Sequence, residues 1–213
     1  MTLLQTTGRM RHGVAVTALS LLALACATGA GAADRNAVAR KAMEKSFVAA
    51  GQAGLSRLQQ DATQAQCSLA APGQPAGKVT ARIQAQNAAA VKLPADGRYL
   101  GDWKRGEAIA QSGTGLQSSD DPAKPAGGNC YACHQMAQAE VAYGTIGPSL
   151  AQYGKLRGQS QPIIDYTWRV LYNAKSYFPC THMPRFGTQA ILDEQQLKDV
   201  MAYLLDPASP VNQ

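Results

Sequence analysis

Asn129-Cys130-Tyr131-Ala132-Cys133-His134 decides the reading of this 213-residue chain. The stretch contains C-x-x-C-H, the attachment signature of a c-type heme. Two thiols a helical turn apart can each bond a vinyl-derived carbon on one porphyrin edge. The histidine that follows then falls beneath the iron and offers a ring nitrogen. A zinc site would need a second ligand pair, whereas Cys67 and Cys180 are isolated. A thioredoxin-like redox pair would need a βαβ context, which is missing. The expectation is one covalently bound heme c held by Cys130, Cys133 and His134.

Ten residues on comes Gly144-Thr-Ile-Gly-Pro-Ser-Leu150. A Gly-Pro turn here can aim the Pro148 carbonyl at the second ring nitrogen of His134, orienting the ligand and raising its basicity. The sixth ligand is sought by elimination. Met43 lies in the N-terminal region, Met136 is too near His134 to reach the opposite face, and Met201 sits on an apolar helix face and reads as core. Met183 lies 49 residues beyond His134, in the loop Cys180-Thr-His-Met-Pro184. It is preferred because thioether ligation is the familiar electron-transfer arrangement, with His182 as the alternative. A ligand pair His134/Met183 leaves iron no open position, which argues against a sensor or peroxidase.

Of the Phe, Trp and Tyr residues only Phe47 precedes Tyr99, so the large-side-chain core is C-terminal. Residues 34–93 are Ala/Gln-rich. Val38, Met43, Phe47, Leu55 and Leu58 suggest one or two amphipathic helices broken near Gly51 and Gly54, and Val79 to Val91 suggests another, stopped by Pro94. Asp102 reads as the start of a helix carrying Trp103, Gly106, Ile109 and Ala110, with Gly106 leaving room for a close neighbour. Residues 114–128 read as loop. Ile163, Thr167, Val170, Leu171 and Ala174 mark a second helix, and Leu197, Val200, Met201, Leu204 and Leu205 a third. The expected fold is all-α, a class I-like cytochrome c domain over 95–213 with a helical extension over 33–94 that packs on its surface.

Apolar residues make up 46% and charged residues 16%, which excludes charge-driven disorder. The net charge of +6 comes without a Lys/Arg run, so nucleic-acid binding is not expected. Residues 1–32 read as a signal peptide: Arg9, Arg11 and His12 precede the apolar stretch Val14–Ala27 and the small-residue site Ala30-Gly31-Ala32. That stretch is shorter than the ~20 residues of a spanning helix, so no stable membrane span is expected. Lipidation at Cys26 is the lesser alternative, Ala23 standing where a large aliphatic residue is usual. Export to an oxidising periplasm lets the remaining pair, Cys67 and Cys180, form a disulfide, the rival reading being a reactive Cys180 near the heme.

Four stretches carry a family resemblance: Tyr99-Leu-Gly-Asp-Trp-Lys-Arg-Gly-Glu107, Gly128-Asn-Cys-Tyr-Ala-Cys-His134, Gly144–Leu150 and Cys180-Thr-His-Met-Pro-Arg-Phe-Gly187, with the tail Leu204–Asn212. They resemble SoxX, the small monoheme cytochrome c subunit of SoxAX complexes in bacterial sulfur oxidation. The resemblance implies heme held by Cys130 and Cys133, with His134 and Met183 as axial ligands. It also implies a heterodimer with a SoxA-like cytochrome, acting as an L-cysteine S-thiosulfotransferase that couples thiosulfate oxidatively to a cysteine of a SoxYZ-like carrier. The nucleophilic cysteine would belong to SoxA. This chain would then have no catalytic residue of its own and would pass electrons to a soluble cytochrome c. The alternative is a free periplasmic monoheme carrier without a dedicated partner.

Overall fold

The computed structural model describes residues 35, 37–69 and 77–213. The signal segment and Cys26 lie outside the described residues. The chain divides into two compact units at Val48/Ala49. In the first, helix α1 (37–46) ends with the Phe47 N–H donating to the Met43 carbonyl.

The second unit holds α2 (Ala62–Leu69), α3 (Gly77–Ala89), α4 (Trp103–Gln111), α5 (Tyr153–Arg157), α6 (Gln161–Tyr172) and α7 (Glu194–Leu205), with short 3-10 turns between them. Among the described residues there is no strand, only a single bridge between Ala50 and Ala53, so the fold is all-α. No described helix is long and apolar enough to cross a membrane. The run read as one helix through Ala174 ends at Tyr172, and Ala174–Ser176 is a separate 3-10 turn. Asn173 causes the break: its backbone is extended and its side chain accepts from the Lys175 N–H.

The crossing of α4 and α7 organises the core. A Cβ on Gly106 would lie 2.0 Å from the Asp199 carbonyl oxygen, so only glycine permits this approach. Beside it, the buried Asp199 carboxylate receives a two-pronged bond from Arg105 (2.7 and 2.8 Å), the Asp102 N–H (2.8 Å) and Gln195 (2.9 Å). Asp102 in turn caps α4 through the Lys104 N–H. Trp168, Leu197, Val200, Met201 and Leu205 fill the space around the crossing.

Burial alone would raise the Asp199 carboxyl, but Arg105 and the other donors outweigh it and hold the group below its ordinary value of 3.8. Its stabilisation is therefore complete above that value and is lost as pH falls through the lower, folded one. Asp199→Asn is expected to lower stability at neutral pH by about 1–3 kcal/mol. The variant should also show a shallower acid limb than the wild type when thermal midpoints are followed from about pH 6 down to about pH 3.

The extension is more than a surface layer. Thr63 of α2, Asn87 of α3 and Asn173 after α6 form a buried polar chain, with Asn87 Nδ2 donating to Thr63 (3.3 Å) and Asn173 Nδ2 to the Asn87 side-chain oxygen (3.0 Å). Asn87 Nδ2 also donates to the Ile83 carbonyl (2.8 Å) and the Asn173 side chain also accepts from the Lys175 N–H (3.2 Å), so every polar group of this buried chain is paired, and leaving one of them unpaired would cost its desolvation. Farther on, the Trp168 indole N–H donates to the Lys92 carbonyl (2.8 Å). At the other end, the tail Pro210–Asn212 folds back. Asn212 donates to the Leu204 carbonyl (3.1 Å) at the end of α7 and accepts from the Lys155 N–H (3.0 Å).

Candidate heme site

Backbone bonds returning from the loop after α4 set the start of the motif. The Gly128 N–H donates to the Ile109 carbonyl and the Asn129 N–H to the Ser112 carbonyl. Asn129 then takes a left-handed conformation (φ 47°), which asparagine tolerates better than most residues, and turns the chain into a 3-10 turn at Cys130–Ala132. Cys133 and His134 both donate their N–H to the Cys130 carbonyl. The turn sends Tyr131 into the core, where its hydroxyl meets that of Tyr203 (2.6 Å) and accepts from the Ala137 N–H (3.1 Å). Cys130 and Cys133 are not joined in a disulfide and are half-buried. Burial pushes the Cys130 thiol up to about 12.

The following loop closes onto this turn. Gly144 N–H donates to the Tyr131 carbonyl, Gly147 N–H to the Cys133 carbonyl and Leu150 N–H to the Gln135 carbonyl, all at 2.7–2.8 Å. The Pro148 carbonyl lies 2.7 Å from His134 Nδ1. A carbonyl can only accept, so Nδ1 carries the proton and Nε2 keeps its lone pair for a metal. A Cβ on Gly147 would stand 2.3 Å from His134 Cε1, so the ring uses the space that glycine leaves. Gly147→Ala is expected to displace the imidazole from Pro148 and weaken its ligation about tenfold or more. Acid titration of the holoprotein's absorption checks this: the loss of the histidine ligand should move up by about one pH unit or more, following from that factor.

Met183 is half-buried and packs against the same core cluster as Cys130 and Leu150, whereas His182 is exposed. Its N–H donates to the Thr181 hydroxyl (3.2 Å). Beyond it, Phe186 is buried and the Gly187 N–H donates to the Tyr172 carbonyl (3.0 Å), docking the end of the loop on α6. Cys180, three residues before Met183, is joined to Cys67 of α2 in a disulfide with Cα atoms 5.5 Å apart. Arg185, two residues after it, is buried and pairs with Asp61. The sequence carries no local signal for that pair. Nor was there one for the Tyr131–Tyr203 contact, although an aromatic residue inside the C-x-x-C spacer hints that the spacer faces inward.

Two cysteines outside any disulfide, an imidazole with Nε2 available and a half-buried thioether on one core fit a covalently attached porphyrin with two axial positions. One family comparison agrees. Residues 119–206 match the Cytochrome c family. An uncharacterized lipoprotein of Aquifex aeolicus is 37% identical over 156 residues, covering 72% of this chain and 73% of that protein. The solved structure of SoxXA from P. pantotrophus is 25% identical and covers 55% of this chain and 89% of that chain, with a TM-score of 0.39.

Proposed function

Because this chain belongs to one family with the Aquifex aeolicus protein and carries a cytochrome c domain with covalently bound heme c, we propose that it is the electron-accepting subunit of a SoxAX-type thiosulfotransferase. Cys130 and Cys133 would hold the heme, and His134 and Met183 would ligate its iron. Heme c supplies reversible one-electron transfer. The protein's part is to keep both axial positions filled: Pro148 holds the His134 proton at Nδ1, and the loop from Cys180 to Gly187 presents Met183. With neither position open, substrate does not bind iron, and bond-making falls to a partner.

The observation that carries the reading is the Met183-Pro-Arg-Phe-Gly187 loop, which resembles that of SoxX and here joins the core through Met183 and Phe186 and the extension through Arg185 and Cys180. A mobile carrier needs the heme domain alone, whereas this chain builds α2 and α3 into it through buried amides. The partners are a SoxA-like cytochrome, a SoxYZ-like carrier and a soluble cytochrome c acceptor. The test is reconstitution: thiosulfate should reduce this heme only when both a SoxA-like cytochrome and a carrier with a terminal cysteine are present. Co-purification without a second cytochrome, and no thiosulfate-dependent reduction in the mixture, would favour a free carrier.

We place the mature protein in the periplasm, released after Ala32, with the extension from 33 and the heme domain from 95. The description of the Aquifex relative as a lipoprotein supports the alternative, a lipid anchor on Cys26. The mass of the mature N-terminal peptide separates them: a chain starting at Ala33, or one starting at a diacylated Cys26.

A further inference from the structure

The loop bearing Met183 is poorly held by its own backbone. Among the described residues, no backbone hydrogen bond links positions 181–184 to an element outside the loop; the Thr181 N–H reaches Phe178 and the Met183 N–H reaches Thr181. Attachment resumes only at Phe186 and Gly187. What flanks the thioether on each side instead is α2, through Asp61 just before its first residue and Cys67 near its end.

Taking Met183 as the sixth ligand, as proposed above, we propose that α2 is a clamp that positions this ligand, with Asp61 and Cys67 as its two jaws and Arg185 and Cys180 as the points they grip. The geometry supports the clamp in three ways. The grips lie two residues after and three before the thioether, so neither side of the loop can lift without breaking a bond. The jaws are rigid: Asp61 caps α2 through reciprocal bonds with Gln64 (2.8 and 2.9 Å), and Thr63 ties α2 to Asn87, which in turn accepts from Asn173. The charge balance also needs Asp61. Arg185 and Lys175 are both buried and act on each other and on Asp61, so removing the carboxylate would leave two cations together with little water.

A loosened clamp raises the fraction of molecules whose loop is open, and the rate at which an added ligand takes the iron follows that fraction. The probe is carbon monoxide mixed with the ferrous holoprotein, read beside the near-infrared thioether band of the ferric form. Asp61→Asn is chosen because asparagine can still accept the Gln64 N–H of the cap but cannot neutralise Arg185. Asp61→Asn and the pair Cys67→Ser/Cys180→Ser are each expected to speed carbon monoxide binding about tenfold or more. Combined, they should abolish the band, and Asp61→Glu should return the rate toward that of the wild type.

Variants that bind carbon monoxide no faster than the wild type and keep the band would overturn the clamp, as would a lower melting midpoint with unchanged ligand exchange. A wild-type protein without the band refutes thioether ligation itself and removes the clamp with it. A wild type with the band and indifferent variants refutes the clamp alone.

Discussion

Cys130→Ala/Cys133→Ala is expected to yield a chain from which acidified acetone extracts all pigment, whereas the wild type keeps its colour in the protein pellet. The expectation follows from covalency. On the proposed attachment each cysteine would supply one thioether, so either single variant would retain one bond and should still resist extraction. With both gone only coordination would remain, and acid would protonate the proposed ligand His134 and release it. The helical frame should survive in the double variant, because the large side chain that the turn commits to the core is Tyr131, bound to Tyr203, and alanine still fills most of the space at Cys130. Its thermal midpoint should nonetheless fall, since a ligand that binds only the folded state contributes stability that is lost with it. Pigment that stays in the double variant's pellet would remove the basis for every other statement about this site.

Met183→Ala has the second largest expected effect. A thioether raises the reduction potential of a heme relative to nitrogen ligation or to an open site. The variant should therefore lose the near-infrared band and show a potential lower by more than about 59 mV, the tenfold step of a one-electron couple. The prediction holds even where the exposed His182 next door takes the vacated position, because imidazole also lowers the potential. His182→Ala should leave both quantities as in the wild type. Loss of the band in His182→Ala with its retention in Met183→Ala would reverse the assignment. Met183→Ala should also leave heme attachment intact, which separates its effect from that of the cysteine pair.

Most of the helical frame was legible in residue order. Asp102 announced the start of α4, Gly106 the close approach of a neighbour, and the spacing from Leu197 to Leu205 the buried side of α7. The motif was more legible still, and the Pro148 carbonyl could be assigned to the second nitrogen of His134 because both lie within one short stretch. Two helices escaped. In α2 the residues are mostly Ala, Gln and Ser, so no apolar period marks it; its cap and the disulfide secure it instead. In α5 five residues are too few for a period to show. The extension was taken to rest on the surface because it is poor in large apolar residues. Its attachment proved to be polar and buried, through Thr63, Asn87 and Asn173, a kind of contact that hydrophobic patterning does not register.

Residue order by itself determined the cofactor class and the contact of His134 with the Pro148 carbonyl, since thiol spacing and the turn at Gly147-Pro148 are matters of near-neighbour stereochemistry. Only the tertiary structure decided that Asp61 meets Arg185, that Tyr131 meets Tyr203 and that Asp199 lies against Gly106. Such pairs stand far apart in the chain, and many partners of suitable charge or size were available to each. Which one is met depends on the path of the backbone, and that path is set by the packing of all the helices together.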